Sequence, residues 1–317
     1  MFEKYKVRIE SALAQEMAGM GLLSRLRDAC QYALLSGGKR LRPILVLMVA
    51  EALGNRLDAM PGALSVEFFH TASLIADDLP CMDDDDERRS RPSVHRVFEE
   101  SVALLASYTL IACGYEGIYK NHLRMKESPL FAGKASEALA HALEISTRCA
   151  GIHGATNGQF LDLFPPDRTL ETVEKIIAQK TVTLFQISFV LGWLFGGGDP
   201  ARLKEVEASA THLGLAFQIG DDLQDMSQDL SHKCEINIAT LLGVERASAL
   251  FESELQKWQE SLVSLGIWND EFATVAEFLR TTRNLCQFQT FLGAIGILPQ
   301  TLPDSENRSK EDFASTV

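Results

Sequence analysis

Apolar residues along this 317-residue chain recur at three- and four-residue spacing, the helical period. Alternating runs of β-branched residues joined by Asn-Gly or Asp-Gly turns are absent from the sequence. The pattern predicts a helix over 2–33, weakly interrupted at Gly19 and Gly21, followed by a turn at Ser36-Gly37-Gly38. Pro43 stands near the start of an apolar stretch through Leu53, where its missing N–H is tolerated. Further helices fit 63–78, 93–121, 133–150 and 154–163, the last stopped by Pro165-Pro166. Thr169 can cap a helix running to Phe195. Gly196-Gly197-Gly198-Asp199-Pro200 breaks the chain before helices over 201–227, 245–265 and 270–291. The expectation is an all-α protein: one large bundle around a central cavity over 1–299, with a polar, aperiodic tail at 300–317.

Val182 to Phe195 is apolar enough to raise the question of a membrane, but it falls short of the ~20 residues a bilayer needs and contains Gln186. A buried core helix is the better reading. The opening MFEKYKVRIE lacks the apolar core of a signal peptide. The six cysteines lack metal-ligand spacing and are too sparse for a disulfide scaffold, so a reduced, cytoplasmic protein is expected. A net charge of −13, from 43 acidic and 30 basic residues, argues against a nucleic-acid partner. The charge is concentrated: seven of the eleven residues from Asp77 to Glu87 are acidic.

Two aspartate clusters change the picture. The first is Asp77-Asp78-Leu79-Pro80-Cys81-Met82-Asp83, extended by Asp84 to Asp86; the second is Asp221-Asp222-Leu223-Gln224-Asp225. Residues four apart share a helical face, so Leu213, Phe217, Asp221 and Asp225 form one column, and an apolar stripe turns into carboxylates without turning toward solvent. Val66, His70, Ser73 and Asp77 do the same. Inward carboxylates near helix C-termini lose hydration, repel one another and oppose the helix dipole. Magnesium, held by a few carboxylates and substrate phosphates, relieves all three costs. Asp84 to Asp86 by themselves read as solvated surface.

A metal-bound diphosphate also needs protein cations. Gly37-Gly38-Lys39-Arg40-Leu41-Arg42-Pro43 supplies them at a glycine turn entering a helix, without matching a Walker loop. Arg88 and Arg89 follow the first acidic block, Lys180 sits in an otherwise apolar helix, and Lys233 follows the second cluster. His70 lies two turns before Asp77; structural and binding roles are equally open to it.

GGKRLRP (37–43), DDLPCMDDDDERR (77–89), GQFLDL (158–163), QKT (179–181) and FQIGDDLQD (217–225) together resemble the trans-isoprenyl diphosphate synthase family, of the short-chain farnesyl and geranylgeranyl type, across nearly all of 34–298. The resemblance implies the isoprenoid synthase fold, a homodimer, and a magnesium-dependent prenyltransferase joining isopentenyl diphosphate to allylic diphosphates. It implies that Asp77, Asp78 and Asp83 bind magnesium from one side and Asp221, Asp222 and Asp225 from the other. Arg88, Lys180 and Lys233 would hold the allylic diphosphate. Lys39, Arg42, His70 and Arg89, beside Gly38, would hold isopentenyl diphosphate. Thr181 and Gln218 would lie by the developing carbocation.

The chain departs from the family pattern at Ala76, where His is common, at Ser90-Arg91-Pro92, where Gly-Lys-Pro is common, and over 226–243. In the family, product length follows the bulk upstream of the first motif. Here Ala72 and Ser73 are small, Phe68 and Phe69 one turn below offer a floor, and two extra residues in the motif favour a short product. Geranylgeranyl diphosphate is the expected product, with farnesyl diphosphate the alternative. A terpene cyclase has no use for GGKRLRP and His70, and a non-catalytic partner subunit loses aspartates that this chain keeps.

Overall fold

The computed structural model describes the backbone of residues 2–229 and 237–294, and the side chains of 2–224 and 237–282. Fourteen α-helices and one two-stranded hairpin are formed among them. The expected first helix divides in two: α1 (Phe2–Gly19) buries Tyr5, Ile9, Leu13 and Met17 at a strict four-residue spacing, and α2 (Arg25–Leu34) restarts at Ser24, whose side chain accepts from the Arg27 N–H. Next come α3 (Leu41–Ala52) and α4 (Met60–Asp77), the latter with Pro61 in its first turn.

The stretch directly after α4 holds two features that the sequence pattern does not predict. Glu87–Arg88 (β1) and Arg91–Pro92 (β2) pair antiparallel, although the sequence carries no hairpin signal there. Glu99, at φ 73°, then splits the expected 93–121 helix into α5 (Val94–Phe98) and α6 (Glu100–Lys126). α7 (Ala135–Ala150), α8 (Ala155–Leu163) and α9 (Leu170–Ile176) follow, with Thr169 accepting from the Thr172 N–H as expected. The helix expected to run unbroken to Phe195 instead widens into a π-helical segment at Ile177–Val182 before α10 (Thr183–Phe195). The chain closes with α11 (Leu203–Asp229), a short α12 (Ile238–Leu242) that the sequence pattern missed, α13 (Val244–Leu265) and α14 (Asp270–Ala294).

α3 and α10 lie at the centre, buried around most of their circumference. Among the described residues, Glu100–Lys126 and Leu170–Phe195 are long and apolar enough to cross a membrane, but 72% of the latter's apolar window is buried inside the protein. Gln186, the polar residue in that run, donates to Thr211 Oγ1 at 3.1 Å, so it is satisfied within the core. α4 and α6 approach closely because α6 presents Gly114 and Gly117: a Cβ there would collide with the Phe69 ring and with Ser65. α4 also packs against the central helices α3 and α10. The tail expected at 300–317 lies outside the described residues.

Candidate active site

Asp77 and Asp78 end α4, and the chain folds straight back, with the Asp83 N–H donating to the Asp77 carbonyl at 2.9 Å. Neighbours in sequence, the two side chains differ in surroundings. Burial pushes the Asp77 carboxyl up to about 7; Lys180 opposes the rise, while Asp83 and Asp78 add to it. Asp78 is buried against Arg88, whose Nε donates to its Oδ1 at 2.8 Å and whose Nη2 reaches Asp85 at 2.9 Å. Burial raises the Asp78 carboxyl and the arginine pulls it back. Asp83 Oδ1 accepts from Gln159 of α8 at 3.0 Å.

The π-helical segment supplies Gln179, Lys180 and Thr181. One extra residue per turn turns side chains that a regular helix would bury, a common device at functional sites. Gly158 of α8 backs this segment: a Cβ at 158 would run into the backbone of Gln179 and Lys180. Asn157 donates to Gln179 Oε1 at 2.7 Å, and the Lys180 ammonium pairs with Asp162. The charges of Asp162, Asp77 and Asp83 raise the lysine's affinity for its proton against the cost of burial.

On α11 a relay fixes the amide of Gln218. Thr181 Oγ1 donates to its Oε1 at 2.8 Å, and its Nε2 donates to Asp222 Oδ1 at 2.7 Å. The other oxygen of Asp222 accepts the Ile238 N–H at 2.8 Å, and Asn237 donates to the Asp222 carbonyl at 2.9 Å. Asp222 therefore ties α11 to the first turn of α12. Asp221 is half-buried, and its charge acts on Arg42.

Arg42, from the first turn of α3, joins the helices. Its guanidinium lies 4.9 Å from the Phe185 ring centroid and 5.8 Å from that of Phe217, and its Nη1 is 3.5 Å from His70 Nε2. Burial pushes Arg42 down to about 10, against the pull of Glu67 and Asp221. His70 is held neutral, well below the ordinary imidazole range, by burial and by Arg42, Arg89, Arg40 and Arg88 around it. Arg42 Nε and His70 Nδ1 are buried and have no hydrogen-bond partner among the described residues. Arg89 donates to the Gly37 carbonyl and to Ser36 Oγ, and is likewise pushed down by burial and by neighbouring arginines. Its guanidinium fills the space a Cβ on Gly38 would need. Lys39 is exposed at the rim. Arg40, at φ 53° and fully buried, anchors the turn by pairing with Glu67 and with Glu10 of α1.

The structure thus gathers Asp77, Asp78, Asp83, Arg88, Lys180, Thr181, Gln218, Asp221 and Asp222 with the second cation group, Lys39, Arg42, His70 and Arg89. The Asp225 side chain and Lys233 lie outside the described residues. Gln159 and Asp162 belong to the site although no role was predicted for them, as does Glu67, whereas Arg40, expected among the cations of the glycine turn, is committed to Glu67 and Glu10. The first two sit in the GQFLDL motif three residues apart, on one helical face. The upstream floor also needs correction. Phe69 packs on Gly114 and edge-on to Tyr115, with ring centroids 5.1 Å apart. Phe68 lies on another face of α4, lining a cavity of about 420 Å³ shared with α1 and α6, so the two rings do not form one floor. Ala72 is buried, and its carbonyl accepts from Ser107 of α6, whereas Ser73 is reached by solvent.

The donor set suits a hard cation: Asp77 and Asp83 offer only oxygens, and Asp77 carries a charge that its surroundings penalise. Among the described residues no three carboxylate, imidazole or thiol groups converge as a complete metal cage, so substrate oxygens would have to complete the shell.

Comparison with known proteins agrees with this geometry. The polyprenyl synthetase family model matches residues 23–237. The geranylgeranyl pyrophosphate synthase, chloroplastic, of Catharanthus roseus is 34% identical over 252 residues, 75% of this chain and 68% of that protein. The crystal structure of a geranyltransferase from Legionella pneumophila superposes with a TM-score of 0.74 at 29% identity, covering 89% of this chain and 95% of its own. An FPP/GFPP synthase from Zymomonas mobilis gives the same TM-score at 27% identity over 89% and 98%. The chain belongs to the polyprenyl synthetase family, with the all-α isoprenoid synthase fold. It is a prenyltransferase that elongates prenyl diphosphates.

Proposed function

We propose that the protein condenses isopentenyl diphosphate head-to-tail with dimethylallyl, geranyl and farnesyl diphosphates, using magnesium, and releases geranylgeranyl diphosphate. The observation that carries this reading is a group of buried cations, Arg42 and Arg89, set beside the carboxylates at the ends of two helices. Arg42 and Arg89 are both pushed down and His70 is neutral, next to the carboxylates of Asp77 and Asp221. An allylic diphosphate and a second diphosphate bind there without displacing one another.

Magnesium held at Asp77, Asp83 and Asp221 would take up charge on the departing allylic diphosphate. The residues of the chain do the rest. Arg88 and Lys180 face the leaving oxygens, stabilising charge as the allylic C–O bond gives its electron pair to diphosphate. Thr181, its hydroxyl proton committed to Gln218, turns oxygen lone pairs toward the carbon left positive. Arg42, Arg89 and His70 Nδ1 orient isopentenyl diphosphate so that its alkene pair forms the new C–C bond. A proton then leaves to the released diphosphate, and a new double bond restores neutrality. The buried apolar wall of α10 excludes water that would capture the cation.

Small Ala72 and Ser73 above the Phe69–Tyr115 pair support a C20 product over C15. The exposed apolar face of α6, with Leu105, Tyr108 and Tyr119 among its residues, supports a homodimer. The test incubates the protein with magnesium, labelled isopentenyl diphosphate and C5, C10 or C15 starters. C20 product from all three is expected; C15 alone overturns the length, and no product overturns the reaction. Light scattering checks the dimer, which a monomeric mass would refute.

A further inference from the structure

The turn between β1 and β2 carries Arg89 and Ser90 at φ 57° and 58°. This is the left-handed pairing of a type I′ hairpin, which Asn-Gly adopts with little strain. For an L side chain the conformation is strained, so contacts outside the turn must hold it. On the β1 side, Arg88 is fixed by Asp78. On the β2 side, the Arg91 guanidinium stacks on the ring of Tyr32, 4.3 Å from its centroid. The Tyr32 hydroxyl donates to the Pro92 carbonyl at 2.8 Å. Tyr32 is itself steadied edge-on by Phe98, with centroids 5.5 Å apart. One turn farther along the chain, Ser36 and Gly37 accept from Arg89. The end of α2 therefore grips the far strand of the hairpin and also supplies the acceptors that receive its arginine.

We propose that Tyr32, through Arg91 and Pro92, is a positioning residue for the isopentenyl diphosphate site. It holds a strained hairpin so that Arg89 stays against the Gly37-Gly38-Lys39 turn. Ser90, where a glycine would relax the backbone, makes this clamp necessary. The inference rests on the assignment of Arg89 to isopentenyl diphosphate.

Steady-state kinetics on the full chain, with each substrate varied in turn, test it. Arg89→Gln should raise the KM for isopentenyl diphosphate about tenfold or more, as expected for a charge-assisted bond. Tyr32→Leu should raise the same KM about fivefold, leaving kcat and the allylic KM within about twofold, and Tyr32→Phe, lacking only the hydroxyl, should give about twofold. Adding Ser90→Gly to Tyr32→Leu should recover most of that loss, because the turn then needs less support. If Arg89→Gln leaves this KM unchanged, the assignment of Arg89 fails and the clamp fails with it. If Arg89→Gln raises it but neither Tyr32 variant does, or both KM values rise together, the positioning role alone is overturned. Should Tyr32→Leu fold poorly, Arg91→Gln removes the stack from an exposed side chain and carries the same expectation and the same refutation.

Discussion

The two aspartate clusters use the same residue type near the C-terminal ends of two helices, yet the protein braces them differently. At the end of α4, a side-chain cation holds the second aspartate: Arg88 spans Asp78 and Asp85. Near the end of α11, neutral donors hold it, with Asp222 accepting an amide from Gln218 and a backbone N–H from Ile238. In both pairs the leading aspartate, Asp77 or Asp221, faces the cations of the pocket. The comparison separates chemistry from scaffolding within motifs that look uniform. Asp78 and Asp222, expected as metal ligands with Asp77, Asp83 and Asp221, each also bind protein partners: Arg88 at the one, Gln218 and Ile238 at the other.

Neutralising Asp77 should have the largest effect and should act in opposite directions on activity and stability. Asp77→Asn is expected to lower turnover by about a thousandfold or more, through lost stabilisation of the leaving group. In the metal-free protein the folded-state carboxyl sits near 7 against an ordinary 3.8. The folded state therefore holds a proton that the unfolded chain releases, and stability falls as pH rises between those values. At pH 8 the asparagine variant should be more stable than the parent by on the order of 2 kcal/mol, about half of what the shift implies because the mouth is partly solvated. Denaturant melts at pH 5 and pH 8 read this, and a variant that gains nothing at pH 8 breaks the account of Asp77.

The α11 pair should split the other way. Asp222→Ala strands the Ile238 N–H and the Gln218 amide and frees α12, which should cost roughly 2–4 kcal/mol. Asp222→Asn, which keeps one acceptor, should recover part of that. Asp221→Asn should cost under about 1 kcal/mol while reducing turnover at least a hundredfold. Equal losses of stability at 221 and 222 would erase the distinction between the two positions.

Much of this was legible in the sequence, for identifiable reasons. The helices followed from strong three-to-four periodicity. Both clusters stood out because carboxylates continuing an apolar column fit a solvated acidic surface poorly. Other features depend on contacts that periodicity does not encode. The π-helical segment at 177–182 arises where Gly158 lets α8 press on the backbone of Gln179 and Lys180, and both helices read as ordinary by themselves. The hairpin at 87–92 uses Arg-Ser in place of a hairpin dipeptide and is held by Tyr32, far away in sequence. Adjacent Phe68 and Phe69 look alike in the sequence, but one residue is a rotation of about 100° around a helix, which puts the two rings on different faces of α4. Bracing of Asp78 and Asp222 by Arg88, Gln218 and Ile238 was likewise invisible until the fold brought the donors close.

A smaller effect is expected where the first cluster meets α8. Gln159→Ala removes the amide donated to Asp83 Oδ1, a single hydrogen bond at an exposed rim. Asp83 then keeps its charge but loses its orientation, so kcat/KM should fall about fivefold with a thermal midpoint within a few degrees of the parent. A drop as large as that of Asp77→Asn would mean that Gln159 itself contacts the reacting groups.

The smallest effect belongs to the acidic run that makes the first cluster so conspicuous. Asp86 is exposed and its side chain pairs with Arg96 at 3.2 Å, with both side chains more than half exposed. Such pairs contribute about 0–1 kcal/mol and are screened by salt. Asp84 is exposed as well, and at φ 55° its N–H donates to the Leu79 carbonyl at 3.2 Å. Asp86→Asn should therefore leave turnover and magnesium dependence within about twofold, and stability within about 0.5 kcal/mol. If it instead weakens magnesium activation as Asp77→Asn does, the ligand field extends through the whole run, and the first cluster differs from the second in extent as well as in bracing.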